Sequence, residues 1–95
     1  MKESCAWNNL GDTLKRQETV EAGGKYYTKQ GCCLEAIKAN QKNFFAWNNL
    51  GDTLKGKEIV EAGGKYYTKQ GCCLEAIKAN QKNFFAWNNL CLALK

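Results

Sequence analysis

The chain has 95 residues, of which 44% are hydrophobic and 24% charged, with no histidine and a formal net charge of +5. A chain of this length forms one small domain, and its apolar content excludes a disordered tail. No run approaches the roughly 18 apolar residues that a membrane span requires. Acidic and basic side chains are interleaved without a cluster, which argues against a nucleic-acid partner, because such a protein concentrates Lys and Arg on one face.

The pentapeptide Ala-Trp-Asn-Asn-Leu occurs three times, and its three tryptophans, Trp7, Trp47 and Trp87, are spaced 40 residues apart. Residues 6–45 and 46–85 differ at only three positions. The chain is therefore a tandem array within a single domain, residues 1–95. We divide it into a first repeat at about 3–42, a second at about 43–82 and a terminal helix at 83–95.

The N-terminal segment Met1–Cys5 reaches an asparagine pair before any apolar run of signal-peptide length, so we expect a cytoplasmic protein. In such a setting the cysteines are expected to be reduced core thiols: Cys5, Cys32, Cys33, Cys72, Cys73 and Cys91. A metal site built from the four thiols of the two adjacent pairs, or a redox sensor, is a distant alternative. The side chains of adjacent residues on a helix point in different directions, and zinc ligands are usually further apart in the sequence than adjacent cysteines. We therefore expect no metal and no cofactor.

The apolar pattern predicts a first helix from about Lys2 to Arg16 and an equivalent helix from Asn43 to Lys55. Four residues at helical spacing form its apolar face: Trp47, Leu50, Gly51 and Leu54. Asn43 is the predicted N-cap. Glycine inside a helix costs about 1 kcal/mol relative to alanine, so Gly11 and Gly51 indicate a close approach of another helix.

The segment Glu18–Thr28 places β-branched and aromatic residues on both sides of a Gly-Gly pair. This pattern predicts a β-hairpin with a type I′ turn, in which Val20 lies opposite Tyr27 and Glu21 opposite Tyr26. A second hairpin is expected at Glu58–Thr68. The alternative is an irregular loop of the same length.

Thr28 and Thr68 are predicted N-caps of second helices at Lys29 to about Ala39 and Lys69 to Ala79. Asn40 suits the end of the first of these, since asparagine adopts the left-handed conformation readily. The short links predict antiparallel neighbouring helices. In the third repeat the polar Asp-Thr pair is replaced by Leu92 and Ala93, and self-association through Leu92 and Leu94, or truncation of a longer array, explains such an apolar end.

The motif Trp-x2-Leu-Gly at Trp7–Gly11 and Trp47–Gly51, followed by Ala36 and Ala76 in the second helices, resembles the tetratricopeptide repeat family. The resemblance implies a mainly α fold, an antiparallel helix-turn-helix solenoid, here of five helices. The family period is about 34 residues. We therefore interpret the longer repeat as a variant with a small β-hairpin inserted between the two helices of each full repeat.

No catalytic motif is present, and the absence of histidine removes the commonest general base, so we expect no enzymatic activity. The resemblance implies a protein-interaction scaffold whose first helices line a concave, peptide-binding face. The residues implied for that face are Asn8, Asp12, Lys15, Asn48, Asp52, Lys55 and Asn88. A solvated surface is the plainer interpretation of the asparagines. A structural self-assembly unit, as a homodimer or an end-to-end stack, is the alternative function.

Overall fold

The structure is a computed structural model, described here for residues 2–15 and 17–80. These residues form four helices and two hairpins. In chain order they are α1 (Lys2–Asp12), β1 (Thr19–Ala22), β2 (Lys25–Thr28), α2 (Lys29–Ala39), α3 (Phe44–Asp52), β3 (Ile59–Ala62), β4 (Lys65–Thr68) and α4 (Lys69–Ala79). The expected terminal helix at 83–95, with Asn88, Leu92 and Leu94, lies outside the described residues.

The hairpins have the register that the Gly-Gly pairs predict. Val20 pairs with Tyr27 and Glu21 with Tyr26, and the same pairing recurs between β3 and β4. Gly23 and Gly24 have φ angles of 60° and 86°, the positive values that a type I′ turn requires at both central positions. The irregular-loop alternative is therefore wrong.

The second helices have the predicted bounds, and Thr28 caps α2 by accepting a hydrogen bond from the Gly31 N–H at 3.1 Å. The left-handed conformation predicted for Asn40 is wrong, since its φ and ψ are −155° and 102°. The Asn40 N–H donates a hydrogen bond to the Ala36 carbonyl at 3.0 Å, and Asn40 Oδ1 accepts one from the Lys42 N–H at 3.1 Å. This local turn of the Asx type satisfies the helix end with extended backbone instead.

The first helices end at Asp12 and Asp52, earlier than predicted. The Thr53 Oγ1 donates to the Leu50 carbonyl at 2.6 Å, and the Leu54 N–H bonds three residues back to Gly51 at 3.1 Å. Such bonds tighten and terminate the last turn. At the start of α3, Asn43 is the N-cap as predicted and accepts from the Ala46 N–H at 3.1 Å.

Within each repeat the two helices approach closely at glycine, as predicted. A Cβ added at Gly11 would lie 3.0 Å from the Cβ of Cys32, and one added at Gly51 would lie 3.3 Å from that of Cys72. Glycine thus brings two backbones together at a distance that a larger side chain would increase. This contact lies between the helices of one repeat, α1 with α2 and α3 with α4.

One core runs through both repeats. Its members are Cys33, Ala36, Ile37, Ala46, Trp47, Leu50, Leu54, Val60, Cys72, Ala76 and Ile77. Each hairpin is held to its own repeat by an edge-to-face aromatic contact, Trp7 with Tyr27 at 4.8 Å and Trp47 with Tyr67 at 4.9 Å between ring centroids. No helix in the described part of the chain is long and apolar enough to cross a membrane.

Candidate partner-binding face

The predicted partner-binding residues fall into two groups. Asp12, Lys15, Asp52 and Lys55 are exposed, so their side chains are available to a partner. Asn8 and Asn48 are only 8% and 6% exposed, so most of their surface already contacts the protein itself.

The amide of Asn49 joins the two first helices. Its Nδ2 donates to Asn8 Oδ1 at 2.9 Å and to Asp12 Oδ1 at 3.0 Å. The side-chain oxygen of Asn8 is therefore already used in a hydrogen bond between the two repeats. Asn49 was not among the predicted partner-binding residues. It follows Asn48 directly in the repeated pentapeptide, and adjacent residues of a helix point in different directions, which indicated that the two side chains have different surroundings.

Asn48 differs from its counterpart Asn8 in the first repeat. Its Oδ1 is buried and accepts no hydrogen bond from the residues that the structure describes. A buried acceptor without a donor costs about 1–3 kcal/mol. Asn48 thus has an acceptor oxygen that is not satisfied within residues 2–15 and 17–80.

A cleft of about 770 Å³ lies where the two repeats meet. Its lining consists of Leu14, Lys15, Thr28, Lys29, Gln30, Asp52, Thr53, Leu54, Glu58 and Ile59. The cleft brings Lys15 of the first repeat together with Asp52 of the second, while Lys55, Asp12, Asn8 and Asn48 are not part of its lining. Ile59 is 58% exposed, so the cleft presents an aliphatic surface to solvent.

Two lysines near the cleft contact the ends of the first helices or the residues that follow them. Lys29 Nζ lies 3.9 Å from Asp12 Oδ1 and donates to the Gly11 carbonyl at 3.4 Å, while Lys69 Nζ donates to the Leu54 carbonyl at 3.4 Å. Cations at the C-terminal end of a helix satisfy carbonyls that have no partner in the helix. Burial raises the pKa of Asp52 above 3.8, and the charges of Lys69 and Lys29 oppose that rise.

The cysteines of the second helices behave as core residues, as predicted, but the prediction is wrong for Cys5, which is exposed on α1. Cys32, Cys33, Cys72 and Cys73 are at most 1% exposed, and all four are free thiols. Burial raises the pKa of Cys33 and of Cys72 to about 12, so these thiols stay protonated near neutral pH and are poor nucleophiles and metal ligands. In the described ranges, no three His, Cys, Asp or Glu side chains are grouped so that they could hold a metal ion.

The described residues thus contain two helix pairs, a core shared by both repeats and a cleft at their junction. A family model described as tetratricopeptide repeat matches residues 32–71, from α2 through α3 and the second hairpin into α4. This match covers 40 of the 95 residues and supports a tetratricopeptide repeat at residues 32–71, as the Trp-x2-Leu-Gly motif indicated. Repeats of this family generally mediate protein–protein interactions. No curated protein and no solved structure matches the chain.

Proposed function

We propose that this protein is a non-enzymatic interaction module that binds an extended peptide segment of a partner protein across the junction of its two repeats. The observation that carries the proposal is the cleft of about 770 Å³ that combines Lys15, Asp52 and the exposed Ile59. An aliphatic surface with a few fixed polar groups is typical of sites that bury an apolar side chain and orient the chain attached to it.

The lining indicates the chemistry of the peptide. An aliphatic side chain of the peptide packs between Leu14 and Ile59, where its burial stabilises the complex by about 25 cal/mol per Å². A carboxylate of the peptide pairs with Lys15, and a backbone N–H donates to Asp52. Exposed ion pairs contribute at most about 1 kcal/mol, so the apolar contact supplies most of the affinity and the charges supply orientation.

The other predicted residues extend the face on either side of the cleft. Asp12 and Lys55 are exposed and offer one charge of each sign beyond its lining. Asn48 belongs to the proposed face through its place in α3, although its Oδ1 is buried. Asn8 acts indirectly, because its bond with Asn49 holds the two first helices together. Asn88 belongs to the proposed face through its place in the repeated pentapeptide.

Selection from a random peptide display library, followed by fluorescence anisotropy with the best peptide, tests the proposal. We expect Ile59→Asp to weaken binding at least tenfold, because it replaces the aliphatic contact with a charge. Thr19→Asp is the matched control, since Thr19 occupies the same hairpin position in the first repeat and does not line the cleft. Equal affinity of the wild-type protein and a folded Ile59→Asp variant would contradict the proposed site.

A further inference from the structure

A second cleft lies inside the molecule, between the second hairpin and the helices α2, α3 and α4. Its lining includes Ile37 of α2, Trp47 of α3, Lys65 of β4 and Ala79 of α4, and we call it the hairpin cleft. Its volume is about 580 Å³, and sites for small organic molecules measure roughly 300–1,000 Å³. The hairpin cleft shares no lining residue with the cleft proposed to bind a peptide.

The inner surface of the hairpin cleft is apolar. Ile37 and Trp47 are 5% and 4% exposed and belong to the core. Ala62 and Tyr67 are partly buried and pack against that core. The Trp47 indole N–H donates to the Gln41 carbonyl at 2.9 Å, and the Tyr67 ring packs edge-to-face on Trp47. Both aromatic rings are therefore held in place, and they offer a preformed surface to an apolar group.

The charged side chains of the lining are not balanced. Each of three walls contributes one glutamate and one lysine: Glu35 and Lys38 of α2, Glu61 and Lys65 of the second hairpin, and Glu75 and Lys78 of α4. The loop between α2 and α3 adds Lys42, so four lysines face three glutamates and the lining has a net charge of +1.

The ion pairs within the lining leave most of its lysines available. Lys78 Nζ lies 3.4 Å from Glu75 Oε2. Within residues 2–15 and 17–80, no carboxylate lies at ion-pair distance from Lys38, Lys42 or Lys65. Lys38 is in the last turn of α2, and Lys42 follows in the loop after that helix. The surplus positive charge therefore lies at the loop end of the cleft.

We propose that the hairpin cleft binds a small organic anion with an apolar ring, of the aryl-alkyl carboxylate class. The ring packs beside Trp47 and Tyr67, and the carboxylate lies between Lys38 and Lys42. The fold holds these two parts together, because the Trp47 indole is bonded to the carbonyl of Gln41, the residue directly before Lys42. One ligand of this class thus contacts both the apolar surface and the surplus charge.

The two parts of the ligand should contribute unequally. Burial of the ring supplies most of the affinity, since apolar surface removed from water is the main favourable contribution. Exposed ion pairs contribute little. We therefore expect the carboxylate to raise the affinity only about three- to fivefold over a neutral ligand with the same ring.

NMR titration of the 15N-labelled 95-residue protein at pH 7 tests the proposal with three ligands that differ only in charge. The ligands are 4-phenylbutyrate, 4-phenylbutanol and 4-phenylbutylamine. We expect 4-phenylbutyrate to bind most tightly and the amine most weakly. The shifted amide signals should belong to the second hairpin, from Ala62 to Tyr67, and not to the first. Added salt should weaken the binding of 4-phenylbutyrate more than that of 4-phenylbutanol, because it screens the ion pair.

Lys42→Glu tests the surplus charge, because it changes the net charge of the lining from +1 to −1. This variant should lose the preference for the carboxylate over the alcohol. Lys57→Glu is the matched control, since Lys57 is also exposed, does not line the hairpin cleft and gives the same change in net charge. Circular dichroism establishes that both variants are folded.

A second matched pair uses the two hairpins. Lys65→Glu should weaken the binding of 4-phenylbutyrate, whereas Lys25→Glu should not, because Lys25 has the same place in the first hairpin and does not line the cleft. Equal affinity for the carboxylate and the amine would overturn the proposal, as would signal shifts that are alike in both hairpins. Ile59 does not line the hairpin cleft, so binding of this anion and of the proposed peptide succeed or fail independently.

Discussion

The two repeats are nearly identical in sequence and unlike in burial. Leu50 is fully buried and Leu10 only half-buried, although both follow the same Trp-Asn-Asn. The second repeat packs against the helices of the first, and the described residues include no repeat before the first. In an array of this kind the stability of a repeat therefore lies largely in its contacts with neighbours.

A second contrast concerns the starts of the two first helices. Ser4 is fully buried, donates to the Ala36 carbonyl at 2.7 Å and accepts from Asn43 Nδ2 at 2.7 Å. The corresponding residue 40 positions later is Phe44, which stacks on Phe45 at 4.3 Å between ring centroids. The first repeat is thus joined to the second by a polar bridge whose central residue has no polar counterpart in α3.

The largest expected effect is a loss of stability at alkaline pH, caused by two buried thiols of the core, one from each repeat. The folded pKa of Cys33 and Cys72 is about 12, above the ordinary value of 9.0. Above about pH 9 the unfolded chain releases these protons and the folded chain does not. The free energy of unfolding should therefore fall as the pH rises above 9, with both thiols contributing, until the pH approaches 12.

Urea denaturation at pH 8, 9, 10 and 11 measures this loss. A Cys33→Ala, Cys72→Ala double variant is the control, since it removes both thiols while tyrosine and lysine titrate as before. The variant should show a shallower decline above pH 9. Identical slopes for the two proteins would show that these thiols ionise as readily in the folded state as in the unfolded one.

Truncation of the matched leucines tests the burial contrast directly. Leu50→Ala should lower the free energy of unfolding by about 3 kcal/mol, since it opens a cavity in a fully packed site. Leu10→Ala should cost about half as much, because Leu10 is partly exposed. Both values come from urea denaturation at neutral pH. Equal losses would mean that the neighbouring repeat contributes nothing to the difference.

The sequence predicted the local structure well. Gly23-Gly24 determined the hairpin turn and its register, and Thr28 determined the start of α2, because both effects act over a few residues. Periodicity also placed Trp47 and Leu50 on a buried face. It did not show which helix covers a face, so the burial of Asn8 and Asn48 was missed. Asn8, for example, accepts a hydrogen bond from Asn49, which lies 41 positions further along the chain.

The ends of the first helices were missed for a different reason. Helical spacing continued to Leu54, which is buried as predicted, and so the helix was extended past Asp52. The Thr53 hydroxyl competes for the Leu50 carbonyl, and the Lys55 N–H bonds to Glu58 Oε1 at 2.7 Å. Such side-chain bonds end a helix without changing its apolar pattern.

The hydrogen bonds of Ser4 should contribute less to the free energy of unfolding than the side chain of a buried leucine does. Ser4→Ala leaves the Ala36 carbonyl without its side-chain donor and Asn43 Nδ2 without its acceptor, which should cost about 2 kcal/mol. Cys5→Ala is the control, because Cys5 is the adjacent exposed residue of α1. Thermal denaturation of both variants gives the comparison. A Ser4→Ala variant as stable as the Cys5→Ala variant would show that the bridge does not join the repeats.

Gly56 marks one of the three positions at which the repeats differ, and its φ is +56° with open space around it. Gly56→Ala should cost about 1–2 kcal/mol from backbone strain alone. Gly71→Ala should instead stabilise the protein by up to about 1 kcal/mol, since Gly71 is helical and an added Cβ makes only ordinary contacts, at 3.5 Å or more. Urea denaturation should give opposite signs for the two variants.

The smallest expected effect distinguishes two asparagines that hold the same place in the repeated pentapeptide. Asn49 donates to Asn8 and Asp12 across the junction, so Asn49→Ala should destabilise the protein by about 0.5–1 kcal/mol. Asn9→Ala removes the corresponding exposed side chain of the first repeat, and its cost should be within the error of urea denaturation. A double-mutant cycle with Asp12→Ala isolates the charged half of the contact, because Asp12 accepts one of the two bonds. If Asn49→Ala and Asn9→Ala proved equally mild, the asparagine contact would add nothing to the junction, and apolar packing alone would account for the greater burial of the second repeat.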